Sequence, residues 1–379
     1  MGKKKKTRVD LRKNRSKPPR PQGWTRDFQD HGFLEEGTQG QERVRAKGDL
    51  SRKRTIMQSD VPSDEAGAGE VAMPAVDKEA CLTGRVLRVH GLASVVETAD
   101  GRHFRCAVRR VLRNLVTEER NIVATGDHVW FRPSAVDEGV IERVEPRHGL
   151  LTRASRGREH VLVANVDQVV IVMAIAEPAL KPHLIDRYLV SAEQGGIQPL
   201  LCLNKIDLAD PVALQPLIGS YSQLGVPVFL TSVPTGQGID ELRRRLPGRQ
   251  TVFAGQSGVG KSSLLNAIQP GLGLSVAEVS ENNNKGKHTT TTAQLIKLEI
   301  GGWVVDTPGI RQFQLWDVMA EELEGFFPEF RPLVAHCSYA DCTHTHEGGC
   351  AIRRAVALGQ ISERRYISYR GMCDGAGEN

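Results

Sequence analysis

The hydrophobic pattern changes its period twice along the chain. Between Leu82 and Arg147 the apolar positions fall in short alternating runs broken by turn residues. "GRVLRVHGLASVVETADGRHFRCAVRR" predicts two or three strands with a hairpin at Asp100-Gly101, and "GDHVWFRP" and "GVIERVEPR" predict two more. About five short strands in so small a segment suit a β-barrel of the oligonucleotide-binding (OB) type. After Thr152 the runs lengthen. "VDQVVIVMAIA" is apolar and β-branched almost throughout, as in a strand covered on both faces, and "HLIDRYLVSAEQ" follows with helical spacing at Leu184, Ile185, Tyr188 and Leu189. Strand "PLLCLNKID", a helical segment over Pro211 to Leu224, strand "PVFLTS", helix "IDELRRRL" and strand "TVFAG" continue the alternation, which implies a parallel sheet. "AQLIKLEIGGWVVDTPG" departs from it: two strands joined at Gly301-Gly302 predict an antiparallel hairpin on that sheet.

Composition adds a tail and removes a membrane. Residues 1 to 80 are rich in Lys, Arg, Gly, Gln, Glu and Ser with few large apolar residues, too little to offset chain entropy, so they are expected to be mostly disordered. The first twenty residues hold ten Lys or Arg against Asp10, a charge of +9 that leaves −4 for the remainder of a chain with formal charge +5. Such an arm suits phosphate backbones, although a solvated terminus has the same composition. The longest apolar run, Val169 to Ala176, is far short of the roughly 20 residues of a spanning helix, and the lysine-rich start has no apolar segment of a signal peptide, so a cytoplasmic protein is expected. Arg102, Arg105, Arg109, Arg110 and Arg113, with His103 and Phe104 among them, suit either a nucleic-acid face or a solvated strand. Cys202 lies in a strand pattern and reads as a small core residue.

Three segments carry nucleotide chemistry. "GQSGVGKSS", between an apolar strand and the helical "SLLNAI", has the phosphate-loop spacing Gly255, Gly260, Lys261, Ser262. There the backbone N–H groups from Gly255 through Gln256, Ser257, Gly258 and Val259 to Ser263 curl around phosphates at a helix N-terminus. Lys261 is expected to reach the β and γ phosphates and Ser262 to ligate magnesium. In "VVDTPG" a strand ends in Asp306, which suits the magnesium shell, and Gly309 is placed to sense a γ phosphate. "NKID" supplies the base: the Asp207 carboxylate accepts from the ring N–H and exocyclic amine of guanine, a donor pair adenine lacks, with Asn204 at the purine edge and Lys205 over the ring. Ser232 in "TSVPTGQG" backs the same base. The base segments precede the phosphate loop, the reverse of the usual GTPase order, which results from joining the ends of such a chain and cutting it elsewhere.

Seven cysteines, three of them crowded into "HCSYADCTHTHEGGC", argue for metal rather than disulfides. Cys337, Cys342, His344 and Cys350 form C-x4-C-x-H-x5-C, a closed tetrahedral set for one structural zinc, with His346 as an alternative to His344. The following "AIRRAVALGQISERRYISYRGM" predicts a helix, a break near Gly359, and a basic helix whose Arg364, Arg365 and Arg370 suit either an RNA face or solvent.

The motif order, together with "GKHTTTT" and the cysteine segment, resembles the RsgA/YjeQ family of circularly permuted GTPases dependent on the small ribosomal subunit, over about residues 82 to 370. After the disordered basic tail read from composition (1–80), the resemblance implies a multidomain fold: an OB-type β-barrel (81–150), a circularly permuted α/β P-loop GTPase domain (151–325) and a small zinc-binding helical domain (326–379). It implies hydrolysis of GTP to GDP and phosphate in late 30S maturation, stimulated by the small subunit and involving its 16S rRNA, by a protein that works as a monomer away from membranes. It places a magnesium-reaching threonine among Thr289 to Thr292, with Thr290 taken for that role, and gives His288 the water-orienting role. Ras-like enzymes use a glutamine at the position occupied here by Ile310, which cannot hydrogen-bond water. Two other classes stay open: an RNA-binding module with structural nucleotide, and a phosphate-loop kinase or ATPase, against which Asn204 to Asp207 argue.

Overall fold

The structure, a computed structural model, describes residues 6–10, 53–57, 76–91, 93–109, 112, 122–154, 159–274, 293–306 and 322–375. Within the first 80 residues, expected to be mostly disordered, two described segments pair. Strand β1 (Lys6–Asp10) runs antiparallel to β2 (Lys53–Met57), with Thr7 opposite Ile56 and Val9 opposite Arg54, where β-branched residues favour extended backbone.

Five strands close the barrel: β3 (Leu82–His90), β4 (Ala93–Thr98), β5 (His103–Val108), β6 (His128–Ala135) and β7 (Glu138–Val144). They pair in the order β3-β4-β5-β7-β6, and β6 returns to β3 to complete the ring. Every pair is antiparallel except β5 with β7. The turn at Asp100-Gly101 joins β4 to β5 as predicted. Alternation decides what faces the core. Along β5, His103 and Arg105 point out while Phe104 and Cys106 point in, where Phe104 packs 5.0 Å from the Phe131 ring. Phe104 is therefore not available to stack on a base. Arg102 pairs with Asp100 and Arg109 with Glu142, which leaves His103 and Arg105 as the open basic positions of this strand. Arg110 and Arg113 lie outside the described residues.

A hairpin that the sequence pattern did not announce, β8 (Leu151–Ala154) with β9 (Glu159–Val163), leads out of the barrel. The α/β unit follows: β10 (Gln168–Ala174), α1 (Pro182–Gln194), β11 (Gln198–Asn204), α2 (Gln215–Ser222), β12 (Val228–Thr231), α3 (Ile239–Arg243), β13 (Gln250–Ala254), α4 (Lys261–Ile268), β14 (Gln294–Lys297) and β15 (Trp303–Asp306). The strand order is β12-β11-β10-β13-β15-β14, parallel throughout except the β14–β15 hairpin. All seven residues of β10 are buried, as its unbroken apolar run requires, because both faces are covered. Ile171 and Met173 face Ile185, Leu189 and Tyr221 from α1 and α2; Val170 and Val172 face Leu242, Leu264 and Ile268 from α3 and α4. Cys202 is fully buried in this second layer, and burial pushes its thiol up to about 12. The sheet continues into the barrel through one pair, Gln294 of β14 opposite Arg88 of β3.

The C-terminal unit holds α5 (Arg331–Val334), α6 (Ala351–Ala357) and α7 (Glu363–Cys373) around Phe327, Phe330, Ile352 and Tyr369. Arg364 and Arg370 of α7 are exposed, but Arg365 departs from the reading of this helix as a solvated or RNA-facing basic face. It is only 3% exposed and bonds to Asp186 of α1 at 2.8 Å and to Glu329 at 2.7 Å, over the Phe327 ring. Burial opposes its charge, but Asp186 and Glu329 more than offset that and raise its pKa. Tyr221 of α2 donates to the same Asp186 at 2.9 Å, so the C-terminal unit is locked to two helices of the sheet. Among the described residues no helix is long and apolar enough to cross a membrane.

Candidate functional site

The parallel strands all point their carboxyl ends to one edge, and each nucleotide motif begins there: Asn204 at the end of β11, Ser232 after β12, Gly255 after β13 and Asp306 at the end of β15. Such an edge is where open α/β sheets hold ligands. The phosphate loop leaves β13 at Gly255 with φ +146°, where an added Cβ would lie 2.1 Å from the Val172 carbonyl oxygen, so only glycine fits. Gly260, with φ +92°, sets the N-terminus of α4 and passes so close to Asn204 that a Cβ would come within 2.5 Å of its Nδ2. Gln256, Ser257, Gly258 and Val259 form the curve between them; Val259 is buried and the others are open to differing degrees. Lys261 folds its ammonium back over this loop, donating to the Gly255 and Gln256 carbonyls at 2.8 and 2.6 Å. Its positive charge thus stands at the mouth of the loop, beside Ser262 and Ser263 in the first turn of α4.

The base segment is tied to that loop. Asn204, 2% exposed, donates through Nδ2 to the Val259 carbonyl at 2.9 Å and accepts through Oδ1 from the Thr231 hydroxyl at 3.0 Å. Both ends of the amide are fixed, so its orientation is determined by its partners. Asn204 thus acts here as the brace between base and phosphate segments. Lys205 adopts a left-handed backbone, φ +61°, and donates to the Glu177 carbonyl. The Ser232 hydroxyl donates to Asp207 Oδ1 at 2.6 Å, which aims the exposed carboxylate out of the edge. Thr231 was not singled out from the sequence; its signal is its place at the strand end, directly opposite Asn204 in the β11–β12 register. Asp306 stands opposite Gln294 in the β14–β15 register. Gly309, His288 and the Thr289 to Thr292 run, Thr290 included, lie outside the described residues.

The second site is the cysteine segment. The ligand atoms of Cys337, Cys342, His344 and Cys350 all lie within 4.8 Å of one another. His344 Nδ1 is 3.5 Å from the Cys337 sulfur and 3.4 Å from that of Cys350. A tetrahedral zinc with bonds of about 2.3 Å to sulfur and 2.0 Å to nitrogen sets such pairs roughly 3.5 Å apart, so the residues fit that ion. Around them, Glu324 Oε2 lies 2.6 Å from His344 Nε2, an arrangement that leaves Nδ1 for metal, and the Arg353 N–H points at the Cys350 sulfur from 3.5 Å. Tyr366 and Tyr369 of α7 donate to the carbonyls of His344 and Thr343 at 2.7 and 3.0 Å, so the helix holds the loop in place. His346 is outside the cluster, its ring 81% exposed beside Thr345 and Glu347. Glu324, like Thr231, was not legible as a site residue, since it lies 20 positions from its partner.

A family model described as RsgA GTPase matches residues 144–316. A relative from Chlorobaculum tepidum, named small ribosomal subunit biogenesis GTPase RsgA, is 41% identical over 310 residues, covering 78% of this chain and 99% of the relative. The chain belongs to the RsgA GTPase family. Another relative of that name, from Ectopseudomonas mendocina, is 45% identical over 76% of this chain and 84% of its own length. Among solved structures, YjeQ from Thermotoga maritima matches with a TM-score of 0.65 and 38% identity, over 79% of this chain and all of that one. YloQ, described as a circularly permuted GTPase, matches with a TM-score of 0.62 and 29% identity over 79% of this chain and 97% of its own. As an RsgA-family member the chain is a GTP hydrolase, and its architecture of barrel, permuted α/β unit and Cys3His-bearing helical unit is that of the family.

Proposed function

We propose that the protein binds the small ribosomal subunit, hydrolyses GTP there in late subunit maturation, and leaves as GDP and phosphate are formed. The names of its relatives support the biological setting. The observation that carries the site is the 2.9 Å bond from Asn204 to the Val259 carbonyl, which makes the base and phosphate segments one unit despite their reversed order. On this reading Asp207, backed by Ser232, selects guanine; Gly255 to Ser263 cradle the phosphates; and Lys261 neutralises charge on the β and γ groups. Ser262, Asp306 and one threonine of the Thr289 to Thr292 run hold magnesium, which draws charge from the phosphate oxygens when bound. Gly309 senses the γ phosphate, and His288 orients the attacking water in place of the glutamine that Ile310 displaces. Cys337, Cys342, His344 and Cys350 hold a structural zinc. The barrel (81–150) and zinc unit (326–379) flank the GTPase unit (151–325), with 16S rRNA as the surface they meet, in the cytoplasm and as a monomer.

GTP turnover measured with and without purified 30S subunits tests the proposal. A slow rate alone and a strongly raised rate on subunits is expected, since phosphoryl transfer depends on positioning that binding by itself does not complete. A rate indifferent to 30S subunits would remove the proposal that hydrolysis is completed on the small subunit.

A further inference from the structure

The barrel and the GTPase sheet meet where β14 begins. Ala293, the residue before that strand, directly follows Thr292, the last of the four threonines. One position on, Gln294 stands opposite Asp306 on one side and Arg88 of the barrel on the other. The chain thus re-enters the sheet across from the end of β15 and against the barrel. At that point the Thr125 hydroxyl, from the barrel's 124–127 loop, donates to the Ala293 carbonyl at 3.0 Å.

Thr125 is a firm support. It is 3% exposed, and its own carbonyl accepts from the Ala164 N–H at 2.9 Å. On either side the loop is pinned: the Gly126 N–H donates to Val86 at 2.8 Å, and the fully buried Asp127 accepts from the Ala124 N–H at 2.7 Å and from Arg147 at 2.8 Å. The Ala164 carbonyl accepts in turn from Gln250 Nε2 at 2.8 Å, at the start of the strand that ends in the phosphate loop. One loop therefore braces the barrel, β13 and the return point of the chain beside Asp306. Charged contacts also join β3, β4, β14 and β15 here: Arg85 and Lys297 each lie 5.4 Å from the Trp303 ring centre, and Lys297 approaches Glu97.

We infer that Thr125 is a positioning residue for GTP hydrolysis, fixing from the barrel side the place at which the chain after Thr292 meets the sheet opposite Asp306. This rests on the reading in which Thr289 to Thr292 supply a magnesium ligand. Thr125 acts through Ala293, whose carbonyl accepts from its hydroxyl. A threonine that only satisfied a carbonyl at a domain junction would change stability and leave metal dependence alone.

The test uses the full chain with GTP, Mg²⁺ and 30S subunits. Thr125→Val keeps the shape and removes the donor, whereas Thr125→Ser keeps the donor. Thr125→Val is expected to lower kcat about tenfold and raise the Mg²⁺ concentration for half-maximal rate severalfold, with the KM for GTP and GDP affinity within about twofold of wild type. Thr125→Ser restores both. Wild-type kcat and Mg²⁺ dependence in Thr125→Val overturn the inference, as does a slower rate that follows a lowered Tm with Mg²⁺ dependence unmoved. Should Thr125→Val not fold, Thr125→Cys, a weaker donor of similar size, is read on the same two axes, with intermediate values expected and wild-type values overturning. The same titrations without 30S subunits separate the two readings. If subunits fail to stimulate wild type, the proposed function fails; a Mg²⁺ shift of Thr125→Val in the unstimulated reaction still upholds the positioning role, and its absence there removes that role too.

Discussion

The two halves of the nucleotide edge are held from different places. On the base half the supports come from within the α/β unit: Thr231 fixes Asn204, Asn204 braces Val259, Ser232 aims Asp207, and Glu177 takes Lys205. On the other half, Ala293 and Gln294, which follow the threonine run, are held by the barrel through Thr125 and Arg88. The proposed nucleotide selection is thus built into one unit, while the point at which the chain re-enters the sheet after the segment proposed to complete hydrolysis is tied to its neighbour. On the positioning role proposed for Thr125, a partner that grips the barrel has a route to the rate that bypasses affinity.

Four substitutions probe that division, and the largest effect belongs to the residue both halves share. Lys261→Ala removes the charge at the mouth of the loop and is expected to abolish hydrolysis with and without subunits, together with tight GTP binding; a variant that still binds GTP tightly would displace Lys261 from the phosphates. His288→Ala belongs to the hydrolytic half alone. It is expected to lower the 30S-stimulated rate by about a hundredfold or more while fluorescent-nucleotide titration finds GTP affinity unchanged. Full stimulation in this variant would assign water positioning to another residue or to the ribosome.

Asp207→Asn belongs to the base half. Exchanging an acceptor for a donor is expected to weaken GTP about tenfold to a hundredfold and raise tolerance for xanthine nucleotides, with kcat at saturation largely kept. Unchanged GTP affinity would break the base assignment. The smallest effect on nucleotide is expected from Cys342→Ser. Metal analysis should find zinc in wild type and none in the variant, whose C-terminal unit unfolds because structural zinc supplies folding free energy where it binds. Nucleotide affinity is expected to stay within about twofold. A zinc-free wild-type protein would refute the metal assignment.

Local spacing made much of this legible. A phosphate loop needs its glycines and lysine at fixed offsets, a β-branched run such as Val169 to Ala174 has one comfortable home, and a Cys3His set announces itself within fourteen positions, from Cys337 to Cys350. What stayed hidden involves partners far apart in sequence. Arg365 reads as surface charge until Asp186, 179 positions away, is brought against it. Thr125 carries no signal in the sequence until the sheet brings Ala293 to it across 168 positions. Phe104, placed among arginines, suggested a stacking face, yet the alternation of its strand turns it into the barrel core. The β8–β9 hairpin escaped because "RASRGREH" between its apolar residues has the composition of a loop.

The lock at Arg365 sets a rule for exchanging parts between family members. Asp186 is fully buried and Arg365 nearly so, and taking away one member of such a pair costs about 3–5 kcal/mol because the survivor is left charged and dry. A chimera that joins the C-terminal unit of one homologue to the GTPase unit of another must therefore carry compatible residues at 186, 329 and 365. The motifs on either side of the seam can all be present and the hybrid still fail to assemble.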